Sequence, residues 1–263
     1  MKIFTDTSGR ISAKALQTLT DDQFQVLRIK GFYGKPLCDK AADALISSPL
    51  LGPYKNAPDI SHVGESFFEA VLSQHQVENY LGQSRVWIEQ VRAAMDPMLS
   101  PIDKVRLQLD ELWPAGAQLA RLMGRPMFAG LMRLFQNSAG AEPHIDNAGW
   151  DAESVGLSAE VASPIQLALN IYLRVPEEKD GGALLLHEHR PNRDDYDARK
   201  LPDSYGLRID DLPPPVRIRP EVGELILFDS RRIHEVEPSR TPRATASMFI
   251  KMSGPDRPLE LFS

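Results

Sequence analysis

Hydrophobic positions follow two different rhythms along the chain. In the first half they recur every three to four residues, the spacing of helices packed on one side. Residues 36–47 place Leu37, Ala41, Ala42 and Leu45 on one face, and Pro36 suits a first helical turn. Residues 66–73 and 77–95 repeat the pattern, which Asp96-Pro97 and Ser100-Pro101 interrupt. Residues 102–123 predict another amphipathic helix, bent near Pro114. Residues 24–30 stand apart, because they alternate in part and carry strand formers. Residues 1–21 are polar with weak helical signals, and Thr20-Asp21-Asp22 reads as a helix start or turn. Residues 52–64 read as loop, with turn chemistry at Asn56-Ala57-Pro58-Asp59.

The second half carries short apolar runs instead. Residues 128–135, 165–175, 183–187, 216–219, 224–228 and 244–251 read as strands. Asp180-Gly181-Gly182, Pro213-Pro214-Pro215 and Glu221-Val222-Gly223 punctuate them. Successive short strands of this kind predict a sandwich or jelly roll. The expected class is mainly β with α: a double-stranded β-helix core braced by N-terminal helices. We read residues 1–263 as one domain, with 1–125 as helical support, 126–253 as the core and 254–263 as a tail. Connections 147–163 and 188–215 are too long for hairpins and read as functional lids.

Composition narrows the function classes. The 263 residues are 42% hydrophobic and 25% charged, as in soluble globular proteins. A formal net charge of -6 argues against a nucleic-acid partner, which needs a basic face. Lys and Arg are scattered, and no apolar run approaches the ~18 residues of a membrane span. The single cysteine, Cys38, permits no internal disulfide and reads as a small packed residue. With no apolar leader at the N-terminus, the expectation is a cytoplasmic protein. The composition leaves oligomeric state open.

The chemistry sits between residues 141 and 243. His144 and Asp146 are two apart, so on an extended strand both face the same way. His234 lies far downstream, after the run Leu225-Ile226-Leu227-Phe228. Two imidazoles and a carboxylate form the set that holds a non-heme Fe(II) on one face and leaves other positions open. His-x-Asp alone is a weak signal. The ordered series of His-x-Asp, strand, Gly-Gly turn, strand, distal His and then Arg243 is stronger. Arg243 opens the strand after the distal His, and its planar fork matches a carboxylate. Thr245, two residues on, faces the same way. Arg240 is the rival cation, in the turn Pro238-Ser239-Arg240-Thr241-Pro242.

These pieces resemble the Fe(II)- and 2-oxoglutarate-dependent oxygenases. The resemblance runs from about residue 131 to 252. It rests on Pro143-His144-Ile145-Asp146, Asn170-Ile171-Tyr172-Leu173, Gly181-Gly182-Ala183-Leu184, Gly223-Glu224-Leu225-Ile226-Leu227-Phe228 and His234-Glu235-Val236-Glu237-Pro238 with Arg243. With the helical first half, it is similar to a smaller group of free or N-substituted amino-acid hydroxylases and carrier-independent halogenases. The resemblance implies Fe(II), 2-oxoglutarate and O2 as cofactor, co-substrate and oxidant. It also implies a small-molecule substrate, hydroxylation of an unactivated carbon, and release of succinate and CO2. Halogenating relatives carry Gly or Ala at the carboxylate position, so Asp146 favours oxygenation. Desaturation or ring closure is the alternative within the family, and a cupin-like metal protein or a silent sensor the alternative outside it.

Several other residues carry two readings. Asn170 and Tyr172 share a strand face, and Asn170 is either a 2-oxoglutarate contact or a satisfied buried amide. Gln136 and Arg133 are candidates for contact with co-substrate or substrate, and Arg133 equally a surface charge. Trp150 and Phe67 are pocket walls or plain core. Asp229, Arg231 and Arg232 lie in the turn before His234, where an Arg meets a substrate carboxylate or solvent. His187 and His189 form a competing pair at a strand end. His62 and His75, in the helical half, are expected to carry no chemistry.

Overall fold

The strand Ile165–Arg174 is buried on both faces, and the rest of the chain covers it. Leu167, Leu169, Ile171 and Leu173 point toward the helices, while Ala168 and Tyr172 point into the space between two sheets. This is visible in a computed structural model that describes residues 1–136 and 138–263. The larger sheet runs in the order Ile3–Asp6, Val26–Ile29, Leu225–Asp229, Ile165–Arg174, Arg243–Met252, Leu131–Phe135, Ile60–Val63, Gly52–Pro53. The smaller runs Val216–Ile218, Leu184–Leu186, His234–Val236, Ala141–His144. Strands from residue 131 to 252 alternate between the two sheets, save that Leu184–Leu186 and Val216–Ile218 pair within one. The result is a double-stranded β-helix.

Helices Lys35–Ile46, Gln74–Met95 and Pro101–Leu112 cover the outer face of the larger sheet. Their starts follow local chemistry. Ser73 and Ser100 accept hydrogen bonds from Gln76 N at 3.2 Å and Asp103 N at 3.0 Å, and Pro36 and Pro101 occupy first turns. Cys38 lies on the buried face of Lys35–Ile46, and burial pushes its thiol up to about 12. No described helix is long and apolar enough to cross a membrane.

Three sequence expectations need correction. The helix expected over 102–123 stops at Leu112, because Pro114 offers no N–H and Gly116 takes φ +73°. Asp110 Oδ1 then accepts from Ala117 N at 2.9 Å and turns the chain into a strand, Ala117–Leu119. That strand pairs with Leu259–Phe262, so residues expected as a tail belong to the sheet. Residues 52–64, expected as loop, supply Gly52–Pro53 and Ile60–Val63 to the larger sheet. Of the two readings of Thr20-Asp21-Asp22, the turn is the one found, at the end of a helix, Ala13–Thr20, capped by Ser12. The long connections contain short helices, including Ala148–Asp151 and Arg193–Arg199.

One buried ion pair anchors the early strand to the core. Arg28 holds both oxygens of Glu224, at 2.7 and 2.8 Å, and also the Arg219 carbonyl at 2.8 Å. Glu224 is fully buried at 0% exposure. Beside it Gly223 has φ +81°, and a Cβ there would lie 2.1 Å from the Tyr33 carbonyl. Removing one partner of such a pair strands the other charge. Glu224→Ala is expected to lower unfolding stability by about 3 kcal/mol, read from the urea midpoint. A loss under about 1 kcal/mol would show that the pair is dispensable.

Candidate metal centre

Strand register sets two histidines side by side. His144 ends Ala141–His144, His234 opens His234–Val236, and the two residues are direct cross-strand partners. Their ring centroids are 4.3 Å apart. Asp146, two residues beyond His144, brings Oδ2 to 3.3 Å from His234 Nε2. One donor atom from each of His144, Asp146 and His234 lies within 4.8 Å of the others. The strand carrying His234 was not expected from sequence, because three residues with two charged or titratable side chains show no apolar run.

Backbone contacts fix the orientation of all three. His144 Nδ1 is 2.6 Å from the Glu142 carbonyl, and His234 Nδ1 is 2.9 Å from that of Arg232. A carbonyl can only accept, so both Nδ1 atoms carry the proton and both Nε2 lone pairs stay free for a metal. Asp146 N donates to the Ser230 carbonyl at 2.8 Å. The Asp146 carbonyl accepts from Ser230 Oγ at 2.9 Å and Gln166 Nε2 at 3.1 Å.

The charge states match the same purpose. Burial, and then the neighbouring His234, push the His144 imidazole down to about 4, so it is neutral at physiological pH. Burial opposes ionisation of Asp146, but its contacts with His234 and His144 and the charge of Arg133 outweigh it. The Asp146 carboxyl is held at about 2. Two imidazole nitrogens and one carboxylate, with no fourth protein donor in the group among the described residues, fit a divalent iron with open positions.

The three donors face a cavity of about 170 Å³ between the sheets. Arg243, Thr245 and Asn170 line it too. Arg243 is 3% exposed and stacks over Phe135 at 4.7 Å and Tyr172 at 5.1 Å. Its Nε and the Tyr172 hydroxyl are buried without a hydrogen-bond partner among the described residues. An unmet buried donor costs about 1–3 kcal/mol, a charged one more. A carboxylate delivered by a ligand would meet it, and the far end of 2-oxoglutarate is such a carboxylate.

Other sequence candidates fall in different places. Gln136 does not line the cavity: it lies past the end of Leu131–Phe135, where its carbonyl accepts from Ala139 N at 2.8 Å. Arg240 is exposed in its turn. His187 and His189 are held by different carboxylates, Glu235 at 3.3 Å and Asp195 at 2.6 Å, and neither lines the cavity. Asp229 and Arg231 pair with each other and Arg232 pairs with Asp22, away from the cavity. Trp150 is not a lining residue but stacks on Tyr196, which is, and carries Arg193 over its ring, whereas Phe67 is part of the lining. His62 packs on Tyr54, and His75 is exposed beside Asn79.

Arg133 is a cavity residue, not a surface charge. Sequence reasoning missed Tyr54, Asp151 and Tyr205, which also line the cavity. All three sit in segments without regular periodicity, so no pattern marked them. Burial and the nearby Asp146 raise the Asp151 carboxyl well above its ordinary value.

Comparison with known proteins agrees with this geometry. Residues 130–251 match the model of the 2OG-Fe(II) oxygenase superfamily. The chain is 30% identical over 210 residues to leucinostatins biosynthesis cluster protein S of Purpureocillium lilacinum, covering 76% of this chain and 83% of that one. It is 26% identical over 240 residues to L-gamma-glutamyl-L-propargylglycine hydroxylase of Streptantibioticus cattleyicolor, covering 88% and 85%. Among solved structures, an N-substituted L-amino acid dioxygenase from Burkholderia ambifaria shares the fold with a TM-score of 0.66. That match has 15% identity and covers 98% of this chain and 92% of that one.

Proposed function

Since the chain belongs to the 2OG-Fe(II) oxygenase superfamily, an enzyme family using Fe(II) and 2-oxoglutarate, we propose that it hydroxylates a small molecule of amino-acid type. Residues 1–263 act as one oxygenase domain. The observation that carries this reading is the pairing, within one cavity, of a three-donor group and a buried arginine lacking a partner. The hydroxylase named for Streptantibioticus cattleyicolor supports the amino-acid class.

His144, Asp146 and His234 hold the metal from one side. Arg243 takes the far carboxylate of 2-oxoglutarate through its fork, with Thr245 and Asn170 adding hydrogen bonds from the same cavity wall. When bound, Fe(II) and 2-oxoglutarate supply the oxidising chemistry, in which O2 is consumed, succinate and CO2 leave, and a C–H bond becomes C–OH. The chain's own work is placement and exclusion of water. Phe135, Tyr172 and Phe228 wall the donors with aromatic surface, and burial strengthens every charge interaction inside. Asp146 occupies the carboxylate position and favours oxygen transfer over halogenation.

A screen tests this directly. The protein is incubated with Fe(II), 2-oxoglutarate and air against free, N-acyl and γ-glutamyl L-amino acids. The expected result is substrate-dependent succinate formation, with a product heavier by one oxygen atom. Chlorinated product in the presence of chloride, or turnover confined to molecules of another class, would contradict the reading.

A further inference from the structure

Two arginines line the cavity, and the co-substrate accounts for only one of them. Arg243 and Arg133 sit on adjacent antiparallel strands. Arg243 pairs with Phe135 and Thr245 pairs with Arg133, so the two cations share a face but sit one side-chain repeat apart. Asp146 is the only carboxylate whose field Arg133 feels appreciably, and Arg243 feels none. Neither arginine forms an ion pair among the described residues. Arg243 is buried and Arg133 half-buried, and cations withdrawn from water in this way are normally paired. 2-Oxoglutarate offers one carboxylate to Arg243 and turns the other to the metal, and Asp146 is committed to the donor group, so Arg133 still has no carboxylate of its own.

The surroundings of Arg133 show where that anion would sit. Its Nε donates to Tyr54 Oη at 3.0 Å, and no other hydrogen bond of its guanidinium occurs among the described residues. The two amino groups are absent from the sealed, unpartnered atoms, so they face open cavity. Tyr54 accepts from Arg133, which leaves its own hydroxyl proton free to donate. Its ring is held by His62, with centroids 4.1 Å apart, so the hydroxyl is placed rather than free to swing. His62 in turn lies 3.6 Å from Glu69, which anchors the Lys55 amide at 2.7 Å. Apolar walls formed by Phe67, Met248 and Phe249 continue from this corner.

We propose that Arg133 and Tyr54 form a carboxylate-binding subsite for the molecule being oxidised, separate from the co-substrate's Arg243. This rests on the oxygenase reading and names the substrate's chemistry: an acid with an apolar chain. The Arg133 fork supplies charge-assisted hydrogen bonds, and the Tyr54 hydroxyl donates a further one. Fixing the acid at this corner leaves the chain to run along the apolar wall within the same cavity as His144, Asp146 and His234.

The test uses paired probes on the whole protein. γ-L-Glutamyl-L-norvaline and N-acetyl-L-norvaline are each compared with the corresponding norvaline amide. Binding to the anaerobic Fe(II)–2-oxoglutarate form is read from perturbation of its visible absorption, and turnover from succinate. Wild type is expected to bind at least one acid about a hundredfold more tightly than its amide, as a buried charge pair demands. Arg133→Met is expected to erase that preference while 2-oxoglutarate binds as in wild type. Tyr54→Phe, a change that leaves packing intact, is expected to weaken the acid about tenfold and spare the amide.

Equal binding of acid and amide, failure of both acids to bind, or loss of 2-oxoglutarate affinity in Arg133→Met would overturn the subsite. The last result would assign Arg133 to the co-substrate. Hydroxylation of an uncharged molecule would overturn the subsite and leave the oxygenase reading intact. Acid binding without any oxygenated product would do the reverse.

Discussion

Arg243→Ala is expected to raise the 2-oxoglutarate concentration needed for half-maximal turnover by roughly thirtyfold to a few thousandfold. Truncating one partner of a buried, hydrogen-bonded charge pair costs about 2–5 kcal/mol, and each ~1.4 kcal/mol is tenfold. Arg243 meets the conditions for the upper part of that range. It is 3% exposed, its Nε has no hydrogen-bond partner among the described residues, and Phe135 and Tyr172 shield it from water. Fe(II) binding should stay close to wild type, because Arg243 is not in the donor group. Arg243→Lys keeps the charge and loses the planar fork, so its requirement should fall between the two. An unchanged requirement in Arg243→Ala would place the co-substrate's far carboxylate elsewhere, with exposed Arg240 the next candidate.

His144→Ala and His234→Ala should each remove turnover by about a thousandfold or more. A catalytic metal contributes several kcal/mol to the reaction barrier, and losing a ligand forfeits most of it. The same variants should come off a desalting column with less iron than wild type. His187→Ala is the control, since His187 contacts Glu235 and faces away from the cavity. It should keep both iron and turnover. Retained activity in either ligand variant would mean that the metal is held by other residues.

The sequence carried the donor spacing and the core strands well, for a physical reason. Strands 165–174 and 243–252 are buried on both faces, so apolar residues occur on both faces and only a few polar ones, among them Gln166, Asn170, Thr245 and Ser247, interrupt them. His144 and Asp146 follow strand geometry, where a spacing of two means one direction. The strands that were missed are short or polar. Ile60–Val63 contains Ser and His, His234–Val236 has three residues, and Leu259–Phe262 follows a Pro-rich turn. Their pairing is set by neighbours far away in the chain, which local pattern cannot report.

Tyr54 and Asp151 reach the cavity only because distant segments fold over it. The helix expected over 102–123 ended early because Asp110 caps the turn at Ala117, a contact that outweighs the apolar periodicity beyond Pro114. Gln136 was a candidate for contact with co-substrate or substrate because it precedes the His-x-Asp segment, but the strand ends one residue before it.

The central claim is that His144, Asp146 and His234 hold an iron to which 2-oxoglutarate chelates. The most direct measurement is visible absorption under anaerobic conditions, as Fe(II) and then 2-oxoglutarate are added to the folded protein. A weak charge-transfer band is expected in wild type and should be absent in His234→Ala. A well-folded, iron-loaded wild-type protein that shows no such band at saturating 2-oxoglutarate would contradict the assignment.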